Sequence, residues 1–167
     1  MHTQTTPTAR EIMSTHVHCI EPATSLQEVV DFMLKHEISN APVVERVGNR
    51  RHLLGFVSEA DCLEFLSNEM FYGNPSPAQT AEKIMKKHPT CVGPDADIFA
   101  LTSVFMAHGF RHLPVVDSDH DLLGIVSRRD ILASLSDYYR QWNRESDRQR
   151  LPVDVHEIMN HRFIMTG

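Results

Sequence analysis

The chain has no surplus of positive charge. Its 16 Lys and Arg stand against 22 Asp and Glu, a formal net charge of −6 with histidine neutral. A general nucleic-acid or membrane-surface binder needs the opposite balance, so neither partner is expected; a local basic pocket for a small anion stays open. No apolar run approaches the ~20 residues that span a bilayer, which excludes membrane insertion by a helix. Cysteine is scarce. There are three, with no C-x-x-C and no apolar leader, and this predicts reduced thiols in a cytoplasmic protein. H-E-x-x-H is missing too, so the eleven histidines, His16-Val-His18 among them, predict no metal site. G-x-S-x-G, the Walker A loop and the Gly-rich dinucleotide fingerprint are absent, and no catalytic constellation replaces them. The expectation is a protein that is not an enzyme.

What is present is a repeat. Ile12-Met13 recurs as Ile84-Met85, Pro22 as Pro94, and Ala41-Pro-Val-Val44 as Leu113-Pro-Val-Val116, each 72 positions on. From Gly55 to Gly124, and from Asp61 to Asp130, the offset is 69. The first copy therefore carries three extra residues between Glu45 and His52. A unit of roughly 55–60 residues is long for a solenoid repeat and short for a lone domain, so two copies sharing a core are expected. The 167 residues, 41% hydrophobic and 23% charged, suit one or two small domains.

Each copy reads as β-α-β-β-α. A short strand is predicted at His18–Ile20 and at Thr90–Val92. Ser25-Leu-Gln-Glu28 fits a capping box, and Leu26, Val29, Val30, Met33 and Leu34 give one apolar helix face. Asp97 is the matching cap in copy two; Ile98, Leu101, Phe105 and Met106 form the stripe, and Gly109 terminates it. Strands follow at 41–47 and 113–117, a polar turn at Asp117-Ser-Asp-His-Asp121, and last strands at 53–57 and 122–126. A second helix begins near Ser58 and near Ser127. The first crossover is predicted parallel and right-handed, and the last two strands a hairpin.

Both copies write Gly-apolar-Val-Ser-x-x-Asp at the last strand-to-helix corner: Gly55-Phe-Val-Ser-Glu-Ala-Asp61 and Gly124-Ile-Val-Ser-Arg-Arg-Asp130. Free N–H groups and the helix dipole make such a corner an anion site. Its Ser can donate to a phosphate, and its Asp can accept from a ribose hydroxyl. Arg128 and Arg129 suit phosphate oxygens, and Arg111 and His112 add positive charge. The same Ser and Asp also serve as an ordinary helix cap. On the corner alone both readings stand.

Taken in order, these motifs resemble the CBS domain family over roughly residues 9–137. The carriers are Ile84-Met85, Pro94, the helix ending at Gly109, Leu113-Pro-Val-Val-Asp117 and Gly124-Ile-Val-Ser-Arg-Arg-Asp130. Copy one departs with Glu45, Glu37 and a longer hairpin. The resemblance implies an α/β (α+β) fold, two β-α-β-β-α CBS units packed with pseudo-twofold symmetry, a Bateman module, here with a C-terminal helical extension. The polar N-terminus reads as a flexible tail at 1–8, and 138–167 as a C-terminal helix with a packing stub; the resemblance implies CBS units at 9–70 and 80–137. It further implies a regulatory module that binds an adenosine nucleotide (AMP, ADP or ATP), possibly with Mg²⁺, pairs into a homodimer and signals to a separate regulated protein. The other reading is a dimerisation or scaffold module with vestigial clefts.

Carried over by position, the main ligand site comprises Thr90, Val92, Arg111, His112, Leu113, Pro114, Ser127, Arg128, Arg129 and Asp130. The second comprises His18, Ile20, Asn40, Ala41, Pro42, Ser58 and Asp61. It is expected to be weaker, because Glu59 faces the region where phosphate would sit and a carboxylate repels it.

Cys19 and Cys91, at matching places, read as buried small apolar residues, and most of the eight Met as core packing. After Asp137 the polar, Arg-rich run reads as an extension of the last helix, either a solvated one or, through Tyr138, Tyr139 and Trp142, a dimer or partner contact. His156-Glu-Ile-Met-Asn160 repeats the Ile-Met lead a third time. That stub is expected to pack on the module or on a neighbouring protomer.

Overall fold

Helix caps and strand alternation set the element order. The computed structural model describes residues 6–72 and 79–146. In chain order it contains α1 (Ala9–Ile12), α2 (Leu26–His36), β1 (Asn40–Val47), β2 (Arg50–Ser58), α3 (Glu59–Tyr72), α4 (Ala81–Ile84), β3 (Lys86–Lys87), α5 (Ile98–His108), β4 (His112–Val116), β5 (Leu122–Ser127) and α6 (Arg128–Ser146). The helix starts follow their caps. Glu28 N donates to Ser25 Oγ while Ser25 N donates to Glu28 Oε2 at 3.0 Å, the capping box read from sequence. Asp97 Oδ1 accepts from Phe99 N and Ala100 N at 3.0 and 2.9 Å. Both helices end in a left-handed residue, Gly109 at φ 65° and Glu37 at φ 53°. Glycine adopts that conformation without strain; glutamate does so at a cost of roughly 1–2 kcal/mol.

The short strands predicted at 18–20 and 90–92 reduce to single parallel bridges, Ile20 to Val43 and Val92 to Val115. The parallel direction is as expected; Pro22 and Pro94 follow closely and stop the pairing. β1 and β2 form an antiparallel hairpin in register Ala41 with Val57, bulged between Val43 and Val44. Its three extra residues extend the tip. There Arg50 reaches the Asp119 carboxylate at 2.9 Å and Asp121, Leu53 N donates to His120 O at 3.1 Å, and Arg51 donates to Leu122 O at 3.2 Å. The longer hairpin thus gathers the turn of copy two, and Val44, Leu53, Val116 and Leu122 form a small buried cluster beneath it.

The chain forms two compact units that do not follow the repeats. One contains the described residues of 15–91 and 116–123, the other those of 1–14, 92–115 and 124–167. The reason is an exchange of leads. Lead one (Thr8–Ser14) docks on copy two: Ala9 N donates to Ala96 O, Arg10 N to Pro94 O, and Ile98 N to Pro7 O. Lead two (Thr80–Lys87) docks on copy one through the same bonds shifted by 72 positions: Ala81 N to Thr24 O, Glu82 N to Pro22 O, and Leu26 N to Gln79 O. Ala9 and Ala81 are fully buried, the small residue letting each lead approach.

The core of the first unit comprises Ile20, Leu26, Val29, Met33, Val43, Val57 and Ile84. In the other unit Ile98, Leu101, Leu113, Val115 and Val126 are fully or almost fully buried. No helix among the described residues is long and apolar enough to cross a membrane. The expected extension after residue 137 is continuous with α6, which runs to Ser146. The third Ile-Met lead and its proposed packing lie outside the described residues.

Candidate nucleotide corners

Each candidate corner is the junction of the last strand with the second helix of a copy. The two are built alike. In copy one Asp61 Oδ2 accepts from Ser58 N at 2.8 Å and from Ser58 Oγ at 2.6 Å, and Asp61 N donates back to Ser58 Oγ at 3.2 Å. In copy two the distances for Asp130 and Ser127 are the same, 2.8, 2.6 and 3.2 Å. The Ser-x-x-Asp motif is therefore a reciprocal helix cap in both. The cap also fixes the carboxylate rotamer, which is what a hydroxyl-accepting group requires.

The glycine that opens each corner has a steric cause. A Cβ at Gly124 would lie 2.7 Å from Met13 Sδ and 2.7 Å from Ser14 O; at Gly55 it would lie 2.7 Å from Met85 Sδ and 2.6 Å from Lys86 O. Each glycine is the socket for a lead's methionine. Lead backbone continues the sheet edge, through Ser14 with Ile125 and through Lys86 with Phe56. The leads thus place Ser14 and Lys86 beside the corners. Neither residue was among the site residues read from sequence. The repeated Gly and the constant 72-residue offset were the signals available.

The second compact unit brings together nine of the ten main-site residues. Val92 N donates to Pro114 O at 3.0 Å, and Arg128 N donates to Arg111 O at 3.3 Å, tying β4 to the first turn of α6. Leu113 is 1% exposed, Pro114 is buried, His112 is half-buried, and Arg111 and Arg129 are exposed. Among the described residues neither of these two arginines makes an ion pair. Arg128 is engaged elsewhere: its guanidinium donates to Phe110 O and Gly109 O, capping the C-terminus of α5. Thr90 falls in the other unit. Burial holds the His112 imidazole below its ordinary pKa; Asp130 opposes that shift and Arg111 adds to it.

Next to Asp130 lies a cavity of about 460 Å³, lined by Pro7, Glu11, Ile12, Asp130, Ala133, Ser134, Asp137, Tyr138 and Gln141. Its charge is negative. Thr8 backbone and hydroxyl bonds hold the Glu11 carboxyl below the usual range. The cavity's three carboxylates repel anions, whereas Arg111 and Arg129 are exposed cations of the same unit.

All seven second-site residues lie in one compact unit. Asn40 pairs with Ser58 and Ala41 with Val57. Ile20 N donates to Pro42 O at 2.9 Å. His18 packs against His36 with ring centroids 4.0 Å apart and edge-on to Phe32 at 6.0 Å. Asp61 is buried, and its Oδ1 lies 3.5 Å from Lys86 Nζ. Glu59 is exposed in the first turn of α3. Cys19 and Cys91 are half-buried, the Cys91 thiol being pushed by burial to about 11. Among the described residues no three His, Cys, Asp or Glu side chains are grouped to hold a metal ion.

Two copies of one α/β unit, each closed by a glycine socket and a Ser-x-x-Asp cap, define a tandem module. The chain belongs to the CBS domain family, whose model matches residues 9–68 and 81–137. It is 29% identical over 129 residues to an uncharacterised 17.7 kDa protein of Acidianus ambivalens, covering 77% of this chain and 73% of that one. It is 27% identical to the A-adding tRNA nucleotidyltransferase of Aquifex aeolicus over 128 residues, and spans only 14% of that enzyme's length. CBSX2, a CBS-pair protein from Arabidopsis thaliana, shares the fold with a TM-score of 0.67 at 23% identity, over 81% of this chain and 99% of that one. A crystal structure of CBSX2 in complex with AMP matches with a TM-score of 0.66.

Proposed function

We propose that this chain is a regulatory module that binds an adenosine nucleotide (AMP, ADP or ATP) at the copy-two corner and signals to a separate protein in the cytoplasm. One observation carries the reading: Asp130 is oriented by its cap in the same unit as Arg111, Arg129 and the half-buried His112. The carboxylate suits a ribose, the arginines suit phosphate, and the negative cavity sets the direction between them. Regulation rather than chemistry fits the corner, because the Ser127 hydroxyl is spent on the cap, donating to Asp130 Oδ2 at 2.6 Å. Mg²⁺ would act only as a counter-ion to a polyphosphate.

The scaffold reading has its own observation, and it adds a homodimer to the proposal. Equivalent positions of the two copies expose apolar side chains: Leu34 and Met106 at 70% and 74%, Leu63 and Leu132 at 64% and 68%. A face duplicated in this way is suited to a second copy of the chain.

A thermal-shift panel with AMP, ADP, ATP and GTP, with and without Mg²⁺, tests the nucleotide reading. A ligand at 100 times its dissociation constant adds about 2.7 kcal/mol, a rise of roughly 5–10 °C for a chain of this size. An adenosine-specific rise abolished by Asp130→Ala supports it; a flat panel on nucleotide-free protein leaves the scaffold. Sedimentation of Leu63→Lys/Leu132→Lys against wild type tests the dimer.

A further inference from the structure

The two corners share one cap, yet among the described residues only the copy-one aspartate is paired with a Lys or Arg. Asp61 takes both Ser58 donors on Oδ2 and Lys86 Nζ on Oδ1 at 3.5 Å, with its side chain 10% exposed. Lys86 does not belong to copy one. It arrives with the exchanged lead, placed by the pairing of β3 with Phe56 of β2. The residue in the same place beside the copy-two corner is Ser14, fixed by its two backbone bonds with Ile125, and serine brings no charge.

A ribose hydroxyl donates to a carboxylate oxygen that the cap leaves over. In copy one that oxygen already faces an ammonium. We propose, on the basis of the nucleotide reading above, that Lys86 is a tethered cation occupying the ribose acceptor of the copy-one corner, and that this contact makes that corner the weaker of the two. The lysine side chain is 76% exposed, so the contact is screened by salt and yields to competition; it is a latch rather than a plug. Exchange of leads therefore does more than close the fold: each lead sets the charge beside the other copy's corner.

Calorimetric titration of the full chain with adenosine tests this, since adenosine has no phosphate for a lysine to attract. Wild type is expected to bind one adenosine per chain tightly and a second more weakly or not at all. Lys86→Ser, which installs the copy-two residue, is expected to tighten the second event by about fivefold, the most an exposed pair withholds, and to leave the first unchanged. Lys86→Gln should do the same, and added Asp61→Asn should abolish the gain. A second event that is unchanged in both variants, or already equal to the first in wild type, overturns the inference. So does a second AMP event that Lys86→Ser weakens, which would make the lysine a phosphate ligand. Failure of the nucleotide reading itself looks different: neither wild type nor variants then bind adenosine or AMP at either corner.

Discussion

The Ser58–Asp61 corner and the Ser127–Asp130 corner have the same three hydrogen bonds at the same distances. They differ in what stands around them. Copy one has exposed Glu59, Lys86 across its carboxylate and Asn40 on the neighbouring strand. Copy two has exposed Arg129 and Arg111, half-buried His112 and uncharged Ser14. The cap is thus a constant of the repeat, while the charges around it differ, some within the motif (Glu59, Arg129) and some brought by other segments (Lys86, Arg111). On the proposed reading, capping and ligand binding are compatible, because the cap leaves the second carboxylate oxygen over for a hydroxyl.

The comparison breaks most severely at the sockets. Gly55→Ala and Gly124→Ala each push a Cβ to within 2.7 Å of a lead's backbone oxygen, and backbone cannot step aside as a side chain can. Each should cost about 1–3 kcal/mol, read as a fall in melting temperature of several degrees, with similar effects in the two copies. Unequal effects would show that the leads are not held alike.

A second test separates the copies by charge. Arg129→Ala should weaken AMP by about tenfold while leaving adenosine within a factor of two, the signature of a lost charge-assisted phosphate contact. Glu59→Ala, at the matching corner position, should leave the tight AMP event unchanged. Isothermal titration of both variants with both ligands reads the contrast directly.

Arg128 sharpens the same point with a smaller effect. Its donors go to Gly109 O and Phe110 O, so Arg128→Ala should lower stability by about 1 kcal/mol through the lost cap of α5, with little change in AMP affinity. A large loss of affinity at unchanged stability would return Arg128 to the phosphate.

The smallest expected effect is in pH. Burial lowers the folded-state pKa of His112 below its unfolded value. Its contribution to stability is therefore present above pH 6.5 and is lost as the pH falls through the lowered folded value. Chemical denaturation between pH 7 and pH 5 should show a shallower loss for His112→Asn than for wild type. Copy one has Asn40 at the equivalent position, so Asn40→His should introduce a similar dependence there.

Much of this architecture was legible because it is encoded locally. Ser25 with Glu28, Asp97 and Gly109 marked helix ends through bonds between near neighbours, and β1, β2, β4 and β5 followed from apolar runs bounded by turns. The 72-to-69 change of offset placed the longer hairpin, though not its grip on the copy-two turn. The strands expected at 18–20 and 90–92 narrowed to single bridges because pairing there depends on a partner distant in sequence and on a nearby proline. The positions of Lys86 and Ser14 beside the corners were hinted at only by the repeated Gly and the 72-residue offset of the leads. Nothing in the residues around either position announces that a lead crosses to the other copy.

The sequence by itself determined the repeat, the order of elements and the two identical caps, since these rest on contacts spanning a few residues. Tertiary structure alone decided which lead serves which corner, and so which charge stands beside each aspartate. That choice follows from packing: Met13 and Met85 fit only where Gly124 and Gly55 leave out a side chain, and each methionine finds its glycine in the other repeat.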